Sequence, residues 1–267
     1  MSELIKVKIN GKEYEAENGE YIMELARRNK ILIPSFCRHE SLTGLGCCRL
    51  CIVEVKEDGE PKVVVSCVYP VTRTCEVYTE TDKIKAMRRT VLSMLKELAP
   101  EGKRIASLCK MYGVQEESRY AGPGAESVSA NRMNAACILC GLCVEACSKL
   151  GAGAISAVGR GIVKKISTPY NEASPDCMGC GSCAEVCPTG AIECDESENA
   201  RIIWGKTFVL VRCEKCGRPF ATKEELEVSA GRYASQSNDV KLASSPKECE
   251  NCRRRKSSDV MAKVFGI

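Results

Sequence analysis

Cysteine is the residue type here that could do chemistry: there are 20 in 267 residues, against one histidine, His39. Two runs share the pattern C-x2-C-x2-C-x3-C, Cys137-Cys140-Cys143-Cys147 and Cys177-Cys180-Cys183-Cys187. A third set contains "GLGCCRLC", with Cys47, Cys48 and Cys51 nearly adjacent, Cys37 upstream and Cys67 downstream. A fourth pairs Cys213-x2-Cys216 with Cys249-x2-Cys252. Crowded thiols either oxidise or hold metal. C-x-x-C steps suit four sulfurs folding around one centre. The opening "MSELIKVKINGKEYE" has no basic stretch leading into an apolar run, so no export signal is expected and disulfides are disfavoured. The cysteines read as metal thiolates.

The repeated run is the most specific of these. Three cysteines two apart wrap a loop around one iron–sulfur cube, and the fourth, three residues on, turns toward the other. The first cube is therefore expected on Cys137, Cys140, Cys143 and Cys187, and the second on Cys147, Cys177, Cys180 and Cys183. Gly141, Gly179 and Gly181 let the backbone pass close to each cluster. A pair of zinc knuckles is the competing reading, but zinc rarely takes four cysteines in such a run. The segment from about 132 to 195 resembles the two-cluster bacterial ferredoxin domain. It departs from that pattern at Ser148, where the other copy has Pro188, and in the 29 residues between Cys147 and Cys177. Such an insertion suits a subunit of a larger assembly.

In the N-terminal set, ten residues separate Cys37 from Cys48, two separate Cys48 from Cys51, and fifteen separate Cys51 from Cys67. A two-iron cluster needs four thiolates, and "SFCRHESLTGLGCCRLC" offers a loop with "VVVSC" as the strand opposite. Residue types alone leave open which of the three crowded cysteines is left out. The order "IPSFCRHESLTGLGCCRLCIVEV…VSCVYPV" resembles the N-terminal domain of the large iron–sulfur subunit of complex I. It also resembles the matching subunit of NAD-linked soluble hydrogenases and formate dehydrogenases. The resemblance implies a ferredoxin-like β-grasp fold with a 2Fe–2S cluster on Cys37, Cys48, Cys51 and Cys67. It leaves Cys47 without a role, its side chain expected to point away from the iron. The same family carries a further cluster, bound by one histidine and three cysteines, after its long helix. Here 96–115 has only Cys109, so the resemblance implies a retained scaffold and a lost cluster. Cys109 is then a small buried hydrophobe, and His39 a neighbour of the 2Fe–2S site rather than a ligand.

Cys213, Cys216, Cys249 and Cys252 read as a zinc-ribbon-like site, with Gly217 closing the knuckle turn. A third 4Fe–4S cluster would use the same four ligands and stays open as the alternative. Cys47, Cys75, Cys109 and Cys194 remain unassigned.

The elements that position these sulfurs follow from periodicity. "ELIKVKI" and "EYEAE" flank the turn signal Asn10-Gly11 and read as a hairpin. A helix follows over 19–29, then a hairpin over 51–67 and a strand over 74–81. Residues 82–100 have a helical stripe of Ile84, Met87, Val91, Leu95 and Leu98, with Asp82 as N-cap and Pro100 as stop. A second helix is expected over 104–113, closed by Gly113, then a connector over 114–131. Residues 200–211 read as a strand, and Thr222 with Glu225 as a capping box. The fold class is α+β in four parts: a 2Fe–2S β-grasp domain over 1–81, a helical linker over 82–131, a double 4Fe–4S domain over 132–199, and the four-cysteine region with its basic tail over 200–267.

Charge and motif content narrow the function. The formal charge of +4 is misleading, because each thiolate-bound cluster brings about two negative charges and turns the balance to roughly −2. The short basic run at 252–258 is not expected to bind nucleic acid, and no apolar run approaches a membrane span. One histidine permits no imidazole relay, and no Gly-rich nucleotide loop follows a strand. What remains is one-electron transfer. The resemblance implies an electron-wire subunit of a cytoplasmic NAD(P)-linked complex, without an active site of its own. Its partners would be a flavin- and NADH-binding subunit and a hydrogenase or formate dehydrogenase catalytic subunit. A free ferredoxin-like shuttle and a redox-sensing interaction module are the alternatives.

Overall fold

The computed structural model describes residues 4–114, 135–236 and 247–255; the expected connector, from 115 onward, and the basic tail, from 256 onward, lie outside them. The chain divides into two compact units. One comprises 1–146, 157–166 and 186–192; the other comprises 147–156, 167–185 and 193–267.

The first unit is built on a five-stranded mixed sheet in the order β2-β1-β5-β3-β4. β1 (Leu4–Ile9) and β2 (Lys12–Glu17) form the expected hairpin. Its turn is Asn10-Gly11, both at positive φ, as a two-residue turn of this hand requires. Asn10 then reaches sideways: its Nδ2 donates to Thr79 Oγ1 at 2.8 Å and its Oδ1 accepts from Thr79 N at 3.0 Å. Those bonds tie β1 to its parallel neighbour β5 (Cys75–Tyr78). β3 (Ile52–Lys56) and β4 (Lys62–Val65) make the second hairpin. The helix α1 (Ile22–Arg28) buries Ile22, Leu25 and Ala26 against Val7, Ile9, Val53, Val55 and Val77.

A second core lies under the cysteine loops. α2 (Asp82–Leu98) and α3 (Lys103–Tyr112) pack together and bury Leu92, Leu95, Ala99 and Ile105 with Phe36, Leu50, Ile138 and Leu142. Each buried Leu, Ile or Phe among them stabilises the fold by about 2 kcal/mol. The N-cap of α2 is Thr81, not Asp82: Thr81 Oγ1 accepts from Ile84 N at 3.2 Å. The stripe also differs from the expected one. Met87 is 39% exposed, whereas Arg88, a charged residue, is fully buried. α3 ends at Gly113 in the left-handed conformation, as expected.

The second unit holds a four-stranded antiparallel sheet in the order β11-β10-β9-β8. β8 spans Cys194–Glu196, β9 Ala200–Ile203, β10 Lys206–Arg212 and β11 Pro219–Thr222. The single strand expected over 200–211 is thus two strands, joined at Trp204-Gly205. Both of those residues lie at positive φ, 54° and 71°. Phe208, Ile203, Leu210 and Ala221 are buried. The Thr222/Glu225 capping box forms at the start of the C-terminal helix, with Glu225 N donating to Thr222 Oγ1 at 3.1 Å. Outside these sheets, β6 (Ser156–Val158) pairs with β7 (Lys165–Ser167). Further helices among the described residues include α4 (Leu142–Lys149), α5 (Ser182–Glu185) and α6 (Lys223–Gln236).

Candidate metal centres

No disulfide joins any of the cysteines. In the first unit, Cys37, Cys48, Cys51 and Cys67 are all buried on the loops and strand ends between the two cores. Cys48 N donates to Cys37 Sγ at 3.4 Å and Phe36 N to Cys48 Sγ at 3.5 Å. Cys51 and Cys67 form the facing pair, and Ser66 fixes their register, its Oγ donating to Cys51 O at 2.7 Å. The thiols perturb one another. A hydrogen bond from Cys67 draws Cys51 down to about 7, while the same bond pushes Cys67 far above the thiol range. Cys48 is raised likewise, first by its bond with Cys37. A metal centre on these four sulfurs would have to displace their protons, because ligating thiols are deprotonated.

Arg88 locks this loop from below. Its Nε donates to Leu50 O at 3.1 Å and its Nη2 to Ile52 O at 2.8 Å, either side of Cys51. Nη1 reaches Tyr112 Oη at 3.0 Å and pairs with Glu80. Sequence reasoning missed this residue, because an arginine on a helical stripe reads as a solvent position. Cys47 is exposed, but its thiol does not simply turn outward. It bonds the Cys37 thiol and lies 3.7 Å from Cys140 O. His39 is half-buried and receives a bond from Ser41 N through Nδ1 at 3.2 Å. Cys109 is buried, with its Sγ 3.8 Å from Leu92 O.

Cys137, Cys140, Cys143 and Cys187 belong to the same unit. Leu139 N points at Cys137 Sγ at 3.5 Å and Ala191 N at Cys187 Sγ at 3.2 Å. Burial pushes Cys140 up to about 12, with Cys187, Cys137 and Cys37 among its electrostatic neighbours. Glu145, one turn into α4, accepts from Thr43 N at 2.7 Å and Gly44 N at 3.1 Å. That carboxylate binds the loop containing Cys47 and Cys48 to the helix that follows Cys140 and contains Cys143.

In the second unit, Cys147, Cys177, Cys180 and Cys183 line one mostly apolar cavity. Ala154 N points at Cys147 Sγ at 3.3 Å, repeating the bond of Ala191 to Cys187. The loop over 177–183 is held by the C-terminal sheet. Lys206 Nζ donates to Cys177 O at 2.9 Å, Arg201 Nη1 to Gly179 O at 2.8 Å, and Thr222 Oγ1 to Met178 O. Trp204 Nε1 donates to Cys183 Sγ at 3.4 Å. Burial raises Cys183 to about 11. None of these four residues was identified from sequence as a support of this loop; Thr222 was read only as a helix cap. The signal available was the chain's single tryptophan standing before a glycine inside a strand-like run.

Cys213, Cys216, Cys249 and Cys252 converge, with all four sulfurs within 4.8 Å of one another. The knuckle closes through Gly217 N to Cys213 O at 2.8 Å, and Cys249 N donates to Cys213 Sγ at 3.3 Å. That bond is the leading cause holding Cys213 down at about 6. The site sits at the end of β10, on the same sheet that grips the 177–183 loop.

Two stretches of the chain match known cluster-binding domains. Residues 2–82 match the 2Fe-2S iron-sulfur cluster binding domain, and residues 136–191 match the 4Fe-4S dicluster domain. The NADP-reducing hydrogenase subunit HndD of Solidesulfovibrio fructosivorans is 29% identical over 71% of this chain and 36% of its own length. The mitochondrial NADH-ubiquinone oxidoreductase 78 kDa subunit of Candida albicans is 29% identical over 70% of this chain and 28% of its own length. The chain is thus similar in sequence to subunits of NADH-quinone oxidoreductases and of an NADP-reducing hydrogenase. The NADH-ubiquinone oxidoreductase 75 kDa subunit of Reclinomonas americana is 30% identical over 71% of this chain and 29% of its own length. The chain thus spans about a third of the length of these curated relatives. Among solved structures, an NAD+-reducing NiFe hydrogenase in its H2-reduced state superposes with a TM-score of 0.54 at 22% identity. That match covers 70% of this chain and 85% of the other and shows a shared fold. No helix among the described residues is long and apolar enough to cross a membrane.

Proposed function

We propose that the chain is the electron-transfer subunit of a cytoplasmic NAD(P)-linked oxidoreductase complex. It would relay electrons between a flavin- and NADH-binding subunit and a hydrogenase- or formate dehydrogenase-type catalytic subunit. The observation that carries this reading is the seam within the first unit. There Cys47 Sγ lies 3.7 Å from Cys140 O, and Glu145 binds Thr43 N and Gly44 N. Cys37, Cys48, Cys51 and Cys67 hold a 2Fe–2S cluster. Cys137, Cys140, Cys143 and Cys187 hold one 4Fe–4S cluster, and Cys147, Cys177, Cys180 and Cys183 hold the other. Such clusters supply one-electron reduction and oxidation when bound. The protein's part is to bury the ligands, aim N–H groups at their sulfurs and fix the loops. Arg88, Ser66 and Glu145 do the last of these.

The domain boundaries that go with this reading are 1–81 for a β-grasp domain, 82–131 for a helical linker, 132–199 for the double-cluster domain and 200–267 for a zinc-ribbon-like region. Zinc is the metal we assign to Cys213, Cys216, Cys249 and Cys252. Four thiolates at about 2.3 Å from one tetrahedral ion stand about 3.8 Å apart. Cys216 Sγ and Cys249 Sγ are 3.8 Å apart, and the four sulfurs span at most 4.8 Å. A cluster spreads its cysteines over separate irons and needs a wider cage. Elemental analysis would give one zinc per chain, removed by Cys213→Ser; iron at this site instead would refute the assignment.

The relay is tested on the native complex. Anaerobic addition of NADH or NADPH should reduce the clusters, with a flavin subunit co-purifying. A complex without flavin, or clusters that neither nucleotide reduces, would overturn the reading.

A further inference from the structure

Trp204 occupies an expensive position. It is the first residue of the two-residue β9–β10 turn, with φ at 54°, and Gly205 follows at 71°. Such a turn favours asparagine, aspartate or glycine there, and a left-handed conformation is disfavoured for any side chain with a Cβ. The chain places its single tryptophan at this point. The indole turns into the cavity lined by Cys147, Cys177, Cys180 and Cys183, and its Nε1 donates to Cys183 Sγ at 3.4 Å. Strain kept at one residue whose donor meets a ligand sulfur indicates a use for that donor. Two cations accompany it on the same sheet. Lys206 Nζ lies 2.9 Å from Cys177 O, and Arg201 Nη1 lies 2.8 Å from Gly179 O.

We infer that Trp204 is a positioning residue that sets the reduction potential of the second 4Fe–4S centre, with Lys206 and Arg201 acting in the same direction. The inference rests on the assignment of Cys147, Cys177, Cys180 and Cys183 as that centre's ligands. The couple is one electron in and one out. No bond is made or broken at Trp204, and the indole keeps its proton. The added electron increases negative charge on the sulfurs, so a hydrogen bond to Cys183 Sγ is stronger in the reduced state and raises the potential. The C-terminal sheet is thereby an electronic part of the relay as well as a clamp on the 177–183 loop. The backbone donors Ala154 and Ala191 recur in both copies of the repeat, whereas Trp204 is drawn from outside the repeat.

The test uses the full-length holoprotein. Trp204→Phe keeps an aromatic ring and removes the N–H donor. With dithionite as reductant, potentiometric EPR should show the second centre about tenfold less reduced at a fixed potential, equivalent to about 59 mV more negative for one electron. The first centre should not move. The lone tryptophan gives a second, mutation-free readout. Protein labelled with 15N-indole tryptophan should show a nitrogen hyperfine coupling on the reduced second centre in pulsed EPR. An unshifted potential in Trp204→Phe overturns the inference. If that variant loses the centre, absence of the 15N coupling in the wild type overturns it. A wild type without a second 4Fe–4S signal refutes the ligand assignment instead.

Discussion

Replacing Arg88 by methionine should loosen the 2Fe–2S loop while leaving the second 4Fe–4S centre alone. The arginine is fully buried, and methionine keeps much of its apolar stem. What is lost is the guanidinium, which serves Leu50 O at 3.1 Å and Ile52 O at 2.8 Å. Glu80 and Tyr112 keep each other, because Tyr112 Oη donates to Glu80 Oε1 at 3.1 Å. Two buried carbonyls flanking Cys51 are then left without this donor. At roughly 1–3 kcal/mol for an unsatisfied buried acceptor, the loop loses about 3 kcal/mol. Since about 1.4 kcal/mol is a factor of ten, the opened loop becomes roughly a hundredfold more populated. The assay is anaerobic incubation of the holoprotein with an iron chelator, following the 2Fe–2S EPR signal. Loss in Arg88→Met should be roughly a hundredfold faster than in wild type, with the second centre's signal as internal control. Loss within threefold of wild type, or parallel loss of both signals, would refute the claim that Arg88 holds this loop.

Two further substitutions probe the cages. At Gly179, φ is +68° and an added Cβ would stand 2.5 Å from the Phe208 ring, so Gly179→Ala should abolish the second 4Fe–4S signal and spare the first. Retention of both signals would contradict the cradle geometry. Cys47→Ser should leave the 2Fe–2S signal in place, whereas Cys48→Ser should destroy or strongly alter it. The reverse outcome would shift the ligand register by one residue.

The cysteine loops were legible because ligand spacing is a local property. C-x2-C-x2-C-x3-C and the paired C-x2-C steps are read without knowing the fold, and the structure brings Cys213, Cys216, Cys249 and Cys252 within 4.8 Å as their spacing implies. The hairpin at Asn10-Gly11 and the capping box at Thr222 were legible for the same reason. The residues that position the loops were not. Arg88 sits on a stripe where polarity argues for solvent, and only the carbonyls of Leu50 and Ile52, far away in sequence, make its burial favourable. Thr81 displaced Asp82 as N-cap because both are good caps and the choice depends on where the chain arrives from β5. The 200–211 run has strand composition throughout, so its break at Trp204 was hidden. Arg201, Lys206 and Thr222 meet the 177–183 loop through contacts that no periodicity encodes.

The central claim is that this one chain carries three redox centres and a separate single-ion site. Iron, acid-labile sulfide and zinc determination with EPR spin counting on the dithionite-reduced holoprotein tests it most directly. The account predicts about ten irons per chain, from one two-iron and two four-iron clusters, with three half-integer spins that vanish reversibly on reoxidation. About fourteen irons without zinc, or spins that do not return through a second cycle of reduction, would contradict it.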